Sequence, residues 1–272
     1  MTTRHSLPHR VLELLFTSVL CASLAIVPAH ADAQSTIAQR LVKSHGASAV
    51  TLQIVVKLSA GDMGEDQAER EIDGVVLDAS GLVVTTNSSI DPTTSLATMG
   101  VDASSYSSKV VGVKILTANG TEVPAKVVLR DRDRNLAFLR PLQKPKTPFV
   151  AVGFARGGMA RIGDSVYILG RLGKNGSRQN SITSERLVSV ITRPRLMYVV
   201  LPNMYTALGN VVFNESGQPL GLLTMRTVLK SGDTPLPIVI PAADIMEIAR
   251  QAPQAGQVRE RVAPIVAIPK KK

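Results

Sequence analysis

The rhythm of apolar and polar positions changes twice along this chain. Residues 35–45, STIAQRLVKSH, put Ile37, Ala38, Leu41 and Val42 at helical spacing, with Ser35 as the expected N-cap. From Ala47 the pattern becomes β-branched, and AVTLQIVVKL predicts a strand. The acidic stretch GDMGEDQAEREID (61–73) and the polar stretch 91–108 read as long loops. Between them, GVVLDASGLVVTT predicts two short strands turning at Asp78-Ala79-Ser80-Gly81. VVGVKILTANGTEVPAKVVLRD predicts a second hairpin at Asn119-Gly120, a pair that accepts the positive φ angles of a tight turn. RNLAFLR predicts a strand that Pro141 ends, and residues 143–150, with Pro145 and Pro148, a linker.

Beyond the linker, RIGDSVYILGRLG, ERLVSVI, RLMYVVLP and NVVFNESGQPLGLLTMR predict further strands, the last folding back through Asn214-Glu215-Ser216-Gly217. PIVIPAADIMEIARQ predicts a strand, a proline stop and a short helix from near Pro241. Many short strands, divided near residue 145 and flanked by helices, predict an all-β barrel or sandwich in two halves. Strands do not alternate with helical segments, which excludes a TIM barrel or Rossmann fold. No Gly-rich loop follows a strand to cradle a phosphate.

The first 31 residues read as a secretion signal. Arg4 and Arg10 precede the apolar run LLFTSVLCASLAIV, then Pro28 and the small-x-small site Ala29-His30-Ala31. The run is short for a membrane span, and the other reading is an uncleaved anchor. Leu20 before Cys21 argues against a lipoprotein site. Cleavage after Ala31 takes the net charge from +10 to +9 and removes the one Cys and three of the four His, leaving His45. A chain without thiols excludes a disulfide framework, a Cys nucleophile and a Cys/His zinc site. No cofactor or metal is expected. The positive charge favours acidic proteins or an anionic envelope surface. With aromatics at 3%, there is no stacking platform for single-stranded nucleic acid, and no nucleic-acid partner is expected. Lys270–Lys272 read as a solvated tail.

The order of segments from about Ala47 to Arg250 resembles the trypsin-like serine proteases of the HtrA/DegP type. GVVLDASGLVVTTNSSID is similar to that family's Gly-x-Gly-Val-Ile hairpin leading to Thr-Asn-x-His-Val. NGTEVPAKVVLRDRDRNLAFLR resembles the hairpin running into Asp-Leu-Ala-Leu-Leu. ARIGDSVYILGRLG resembles its Val-Gly-Asp-x-Val-x-x-Ile-Gly strand. GNVVFNESGQPLGLL and IVIPAADI resemble the nucleophile hairpin and the closing helix start. The resemblance implies two six-stranded Greek-key β-barrels with short terminal helices. The expected organisation is a signal peptide at 1–31, a helix at 32–46, barrels at 47–145 and 146–250, the second with its closing helix, and a disordered basic tail at 251–272. Many relatives of this type form trimers. They also carry a peptide-binding domain after the barrels, and the roughly twenty residues here after Arg250 are too few for one.

That family's chemistry needs a Ser nucleophile, a His base and an Asp that orients the His. By the resemblance, the His position falls on Ser88, or on Ser89 with a one-residue slip. The Asp position falls on Asn135 and the nucleophile on Leu208, and no serine lies between Ser189 and Ser216. Thr206 stands where the oxyanion loop has Gly. All three roles are therefore empty, a loss on the order of 10⁶ in turnover.

Other candidates are weaker. His45 reads as a helix-end residue, where a cation is favoured. Asp131 and Asp133 read as a solvated charged loop. A Ser–Lys dyad on Ser88 or Ser89 needs a desolvated lysine, and none stands out. Carboxylates of 61–73 that could hold a metal read as a polar loop. The Asn-x-Ser/Thr triplets at Asn87, Asn119, Asn175 and Asn214 arise readily in turns. The sequence thus points to an exported, periplasmic or secreted pseudoprotease that binds protein. An active serine peptidase with a relocated catalytic group and a basic envelope-binding protein stay open.

Overall fold

In a computed structural model of the chain, twelve strands close into two barrels. The structure describes residues 29–60, 65–98, 102–202, 207–226 and 235–254. The apolar run of the expected signal and the basic tail from 255 lie outside them. Contacts divide the chain after Ile37 into an N-terminal unit and a unit from Ala38 onward that holds both barrels. Helix α1 runs Ala29–His45, so Ser35 sits inside the helix rather than capping it.

The first barrel joins β1 (Ala49–Ala60), β2 (Glu65–Val76), β3 (Val83–Thr86), β4 (Tyr106–Leu116), β5 (Glu122–Asp131) and β6 (Leu136–Pro141) in the order β1-β2-β3-β6-β5-β4. The second joins β7 (Ser165–Arg171), β8 (Asn180–Ile191), β9 (Met197–Val200), β10 (Val211–Asn214), β11 (Pro219–Arg226) and β12 (Leu236–Pro241) in the order β7-β8-β9-β12-β11-β10. Shifted by six strands, the two orders are the same. All pairings are antiparallel, as the hairpin turns require. The halves that the sequence predicts are these two barrels.

Each core is built from inward-facing aliphatic residues. Leu52, Ile54, Val76, Val83, Ile115 and Leu139 fill the first, and Val166, Ile168, Leu187, Val212, Leu223 and Val239 the second. β3, β6 and β10 are buried at every position, and β11 at all but its last. β3 and β11 lie against each other, so each has one face in its own barrel and one on the other. This is why LVVTT and PLGLLTM are continuous runs, whereas β1 alternates toward its exposed end.

Two expected loops are ordered differently. Residues 65–73 belong to β2, which pairs with β1 from Ala49↔Val75 to Ser59↔Glu65. Positions 65–69 are exposed, so the strand lacks the apolar face that marks a strand in sequence. Diagonal contacts hold the ribbon: Gln53 donates to Glu69 (2.6 Å), and Lys57 pairs with Glu65 (3.4 Å). Just before 91–108, Asn87–Ile90 (α2) is a helical turn, and within it Pro92–Thr98 (α3) is a short helix and β4 begins at Tyr106. The Asp91 carboxylate accepts from the amides of Thr93 (3.0 Å) and Thr94 (3.5 Å), and Pro92 opens the helix where its missing N–H costs nothing. The closing helix α4 runs Ala242–Ala249.

One buried cation fastens the C-terminal segment to the first barrel. Arg140 on β6 is 3% exposed and donates to Ser80 Oγ (2.6 Å), Asp78 Oδ2 (3.1 Å) and the Pro253 carbonyl (2.7 Å). Burial raises the pKa of Asp78, but the Ser80 hydroxyl, the Leu82 amide and Arg140 together hold it below the usual carboxylate value. Arg140→Ala strands the Asp78 carboxylate and the Pro253 carbonyl, and should cost about 3 kcal/mol in thermal or urea unfolding. Lys114→Ala, which breaks a pair with Glu122 standing in open solvent, should leave the melting temperature unchanged.

Candidate functional site

The end of β3 is closed by a helical turn. Thr86 caps α2, its hydroxyl accepting from the Ser89 amide (3.2 Å) and donating to Ser89 Oγ (2.6 Å). This cap turns Ser88 inward, where it is 6% exposed. Asn135 closes the turn between β5 and β6 at φ +55°, a left-handed conformation that Asn tolerates better than most residues. It is 1% exposed.

These two residues meet. Asn135 Oδ1 accepts from the Ser88 amide (2.8 Å), and Nδ2 donates to Ser88 Oγ (3.0 Å) and to the Met225 carbonyl on β11 (3.1 Å). The Asn135 carbonyl accepts from the Asn87 amide (2.9 Å) and from Thr224 Oγ1 (3.4 Å). A backbone amide can only donate and a carbonyl can only accept, so the network fixes which end of the carboxamide is nitrogen. A carboxylate here would bring oxygen against the Met225 carbonyl. The amide is therefore what this geometry requires.

The Leu208 turn reaches the same end of β3. Gly209 has φ +90°, and a Cβ there would lie 2.6 Å from the Asp73 carbonyl and 3.1 Å from Thr85 Oγ1. Gly209 N donates to the Leu223 carbonyl (2.8 Å), and Asn210 N to that of Ala207 (3.2 Å). Leu208 itself is half-buried and packs on the second core. Thr206, expected in the oxyanion loop, lies outside the described residues.

Among the described residues no base accompanies the hydroxyls. Ser88 Oγ takes its hydrogen bond from Asn135, and among the described residues no basic side chain bonds to it. His45 stacks on Phe213 with ring centroids 4.9 Å apart, and burial lowers its pKa. The residue expected at the helix end thus lies there and packs its ring on the second barrel. Asp131 accepts from the Arg134 amide (2.9 Å) and pairs with its guanidinium (2.8 Å), while Asp133 is exposed. Asn87, the first of the triplets, is buried and accepts from Arg130 (2.6 Å). Among the described residues no three acidic, His or Cys side chains group to hold a metal.

Sequence reading missed Asp73. It sits on β2 beneath the Gly209 turn. Burial pushes its carboxyl up to about 7, although hydrogen bonds from the Asn210 side chain and the Arg171 amide, and the Arg171 charge, pull it down. Gly170 leaves the space that the Asn210 side chain occupies. Residues 61–73 read as an acidic loop, and no signal within that stretch separates Asp73 from its exposed neighbours.

A family model described as a trypsin-like peptidase domain matches residues 73–222, more than half of the chain. The matched stretch contains Ser88, Asn135 and Leu208. Among curated proteins, the chain finds no match.

Two substitutions test this geometry. Asn135→Asp should destabilise the fold by about 3 kcal/mol at pH 7, because the new charge is buried and faces a carbonyl. Chemical unfolding measures it. The Asp73 pKa is raised on folding, so the native state holds a proton that the unfolded chain has released. Stability should therefore fall as pH rises from about 4 to about 7, by up to roughly 4 kcal/mol from this group. Asp73→Asn should remove that slope, read as melting temperature against pH.

Proposed function

Within the trypsin-like peptidase family, to which this chain belongs, we propose that it is a pseudoprotease of the HtrA/DegP type that binds protein without cutting it. The carrying observation is the Ser88–Asn135 pair. A hydroxyl stands where the base is needed and an amide where the carboxylate is needed, and the amide's hydrogen-bonding groups are engaged in holding the barrels together. Leu208 supplies no nucleophile, and its side chain is committed to the second core. Restoring one role at a time gains nothing, since nucleophile and base act as a unit.

The same reading places the protein in the periplasm or outside the cell, with residues 1–31 removed. A protein partner fits the scaffold and the basic charge, and an anionic envelope surface would be held by charge alone, in a salt-dependent way. Assembly into a homo-trimer is part of the proposal.

The purified protein incubated with unfolded β-casein should yield no new peptide termini by mass spectrometry, relative to a boiled control. A fluorophosphonate probe should label no serine selectively in the folded chain. Specific termini, or one serine labelled only when folded, would overturn the pseudoprotease reading.

A further inference from the structure

The first barrel is closed on one seam by a short ladder. β4 and β5 pair only from Val113↔Ala125 to Leu116↔Glu122. β4 continues to Tyr106 paired with β1, and β5 to Asp131 paired with β6, but past Val113 and Ala125 the two strands do not pair with each other. Both strands carry a bulge where they part. Opposite β1, Val55 pairs with Gly112 and Val56 with Val110, leaving Val111 extra. Opposite β6, Val127 pairs with Leu139 and Leu129 with Phe138, leaving Val128 extra. A bulge bends its strand and raises the local twist. Two facing bulges turn the strands apart and leave a groove of about 690 Å³ lined by residues 108–113 and 125–130.

We propose that this groove takes an extended, acidic segment of another protein as an added strand. Among the described residues the walls are strand edges without a ladder partner on the facing side, which is the template that strand addition uses. The six residues from Ser108 to Val113 run about 20 Å at ~3.3 Å per residue, room for five or six residues of a guest strand. Val110 and Val127 pack against the barrel core from the groove side and give apolar footing for alternate guest side chains. Among the described residues the charged ones lining the groove are Lys109, Lys126 and Arg130, and Asp91 at its end accepts from Ser108 Oγ. Lys57 pairs across from Lys109 on β1, its charge matched by Glu65 (3.4 Å), which leaves Lys109 as the charge that faces solvent. Arg130 is engaged by Asn87 (2.6 Å) and lies 3.8 Å from Asp91, whereas Lys109 is exposed. The chain's own C-terminal residues 255–272 carry Arg259, Arg261 and Lys270–Lys272 against Glu260, a charge the groove repels.

The groove lies on the β4–β5 seam, and its lining includes none of Ser88, Asn135 and Leu208. It goes beyond the reading of Ser88 and Asn135 and holds whether or not the chain cleaves peptide bonds. The test uses a fluorescein-labelled heptapeptide of alternating Glu and Val, titrated into the full protein at low salt. Its controls are the same peptide N-methylated at alternate amides and a Lys/Val peptide. Expected is saturable binding on the order of 10 μM for the acidic peptide, with loss on N-methylation of one alternate set. Lys109→Glu should weaken it about tenfold. Hydrogen exchange should slow at amides of residues 108–112 and 126–130. The idea falls if the acidic peptide shows no saturable binding, binds no better than the Lys/Val peptide, tolerates N-methylation at both sets, or protects amides elsewhere. Protection of the same amides by raising the protein concentration alone would assign the groove to a second copy and would equally overturn it.

Discussion

The carboxamide of Asn135 joins pieces of chain that are far apart in sequence. Its oxygen holds the first turn of α2, and its nitrogen divides between the Ser88 hydroxyl and a carbonyl of the second barrel. Its own carbonyl anchors Asn87 and receives Thr224. β3 and β11 face each other with buried surfaces on both sides, so polar groups between them must find partners there or stay unpaired at a cost of about 1–3 kcal/mol each. In a peptidase of this scaffold, a carboxylate at this node would be free to orient an imidazole. Here the node is spent on architecture, with the carboxamide's oxygen and nitrogen both bonded within the fold.

Turns and apolar runs made most of the fold legible. Asp78–Gly81, Asn119-Gly120 and Asn214–Gly217 each connect the strands expected on either side. LVVTT and PLGLLTM were readable because strands buried on two faces have no polar phase. β2 was not, since positions 65–69 gain their order from pairing with β1 rather than from burial. α3 carried a readable signal in Asp91-Pro92 that its Thr-rich body masked. Ser35 looked like a cap because the helix before it is not strongly amphipathic.

At the site, residue identities were visible and their relations were not. Ser88 and Asn135 are 47 positions apart, and only the β3–β6 register brings them together. The unusual state of Asp73 arises from what covers it: the Gly209 turn, Asn210 and Arg171 all come from the second barrel. The opening between β4 and β5 comes from two single-residue register shifts, which no local preference of Val111 or Val128 foretells. Composition sets what a residue can do, and the long-range pairing sets whether it does it.

The Arg140 tie has a consequence for the order of assembly during synthesis. All six strands of the first barrel lie before residue 142, so that barrel can close while the second is still being translated. Its guanidinium, however, takes a carbonyl acceptor 113 positions later in the chain. A nascent first barrel therefore holds a cation whose last partner arrives only when Pro253 clears the ribosome. Domains fold as units as they emerge, and here the first unit stays incomplete until nearly the end of translation. A chain truncated just after β12 would have both barrels and still lack the contact that seals the first.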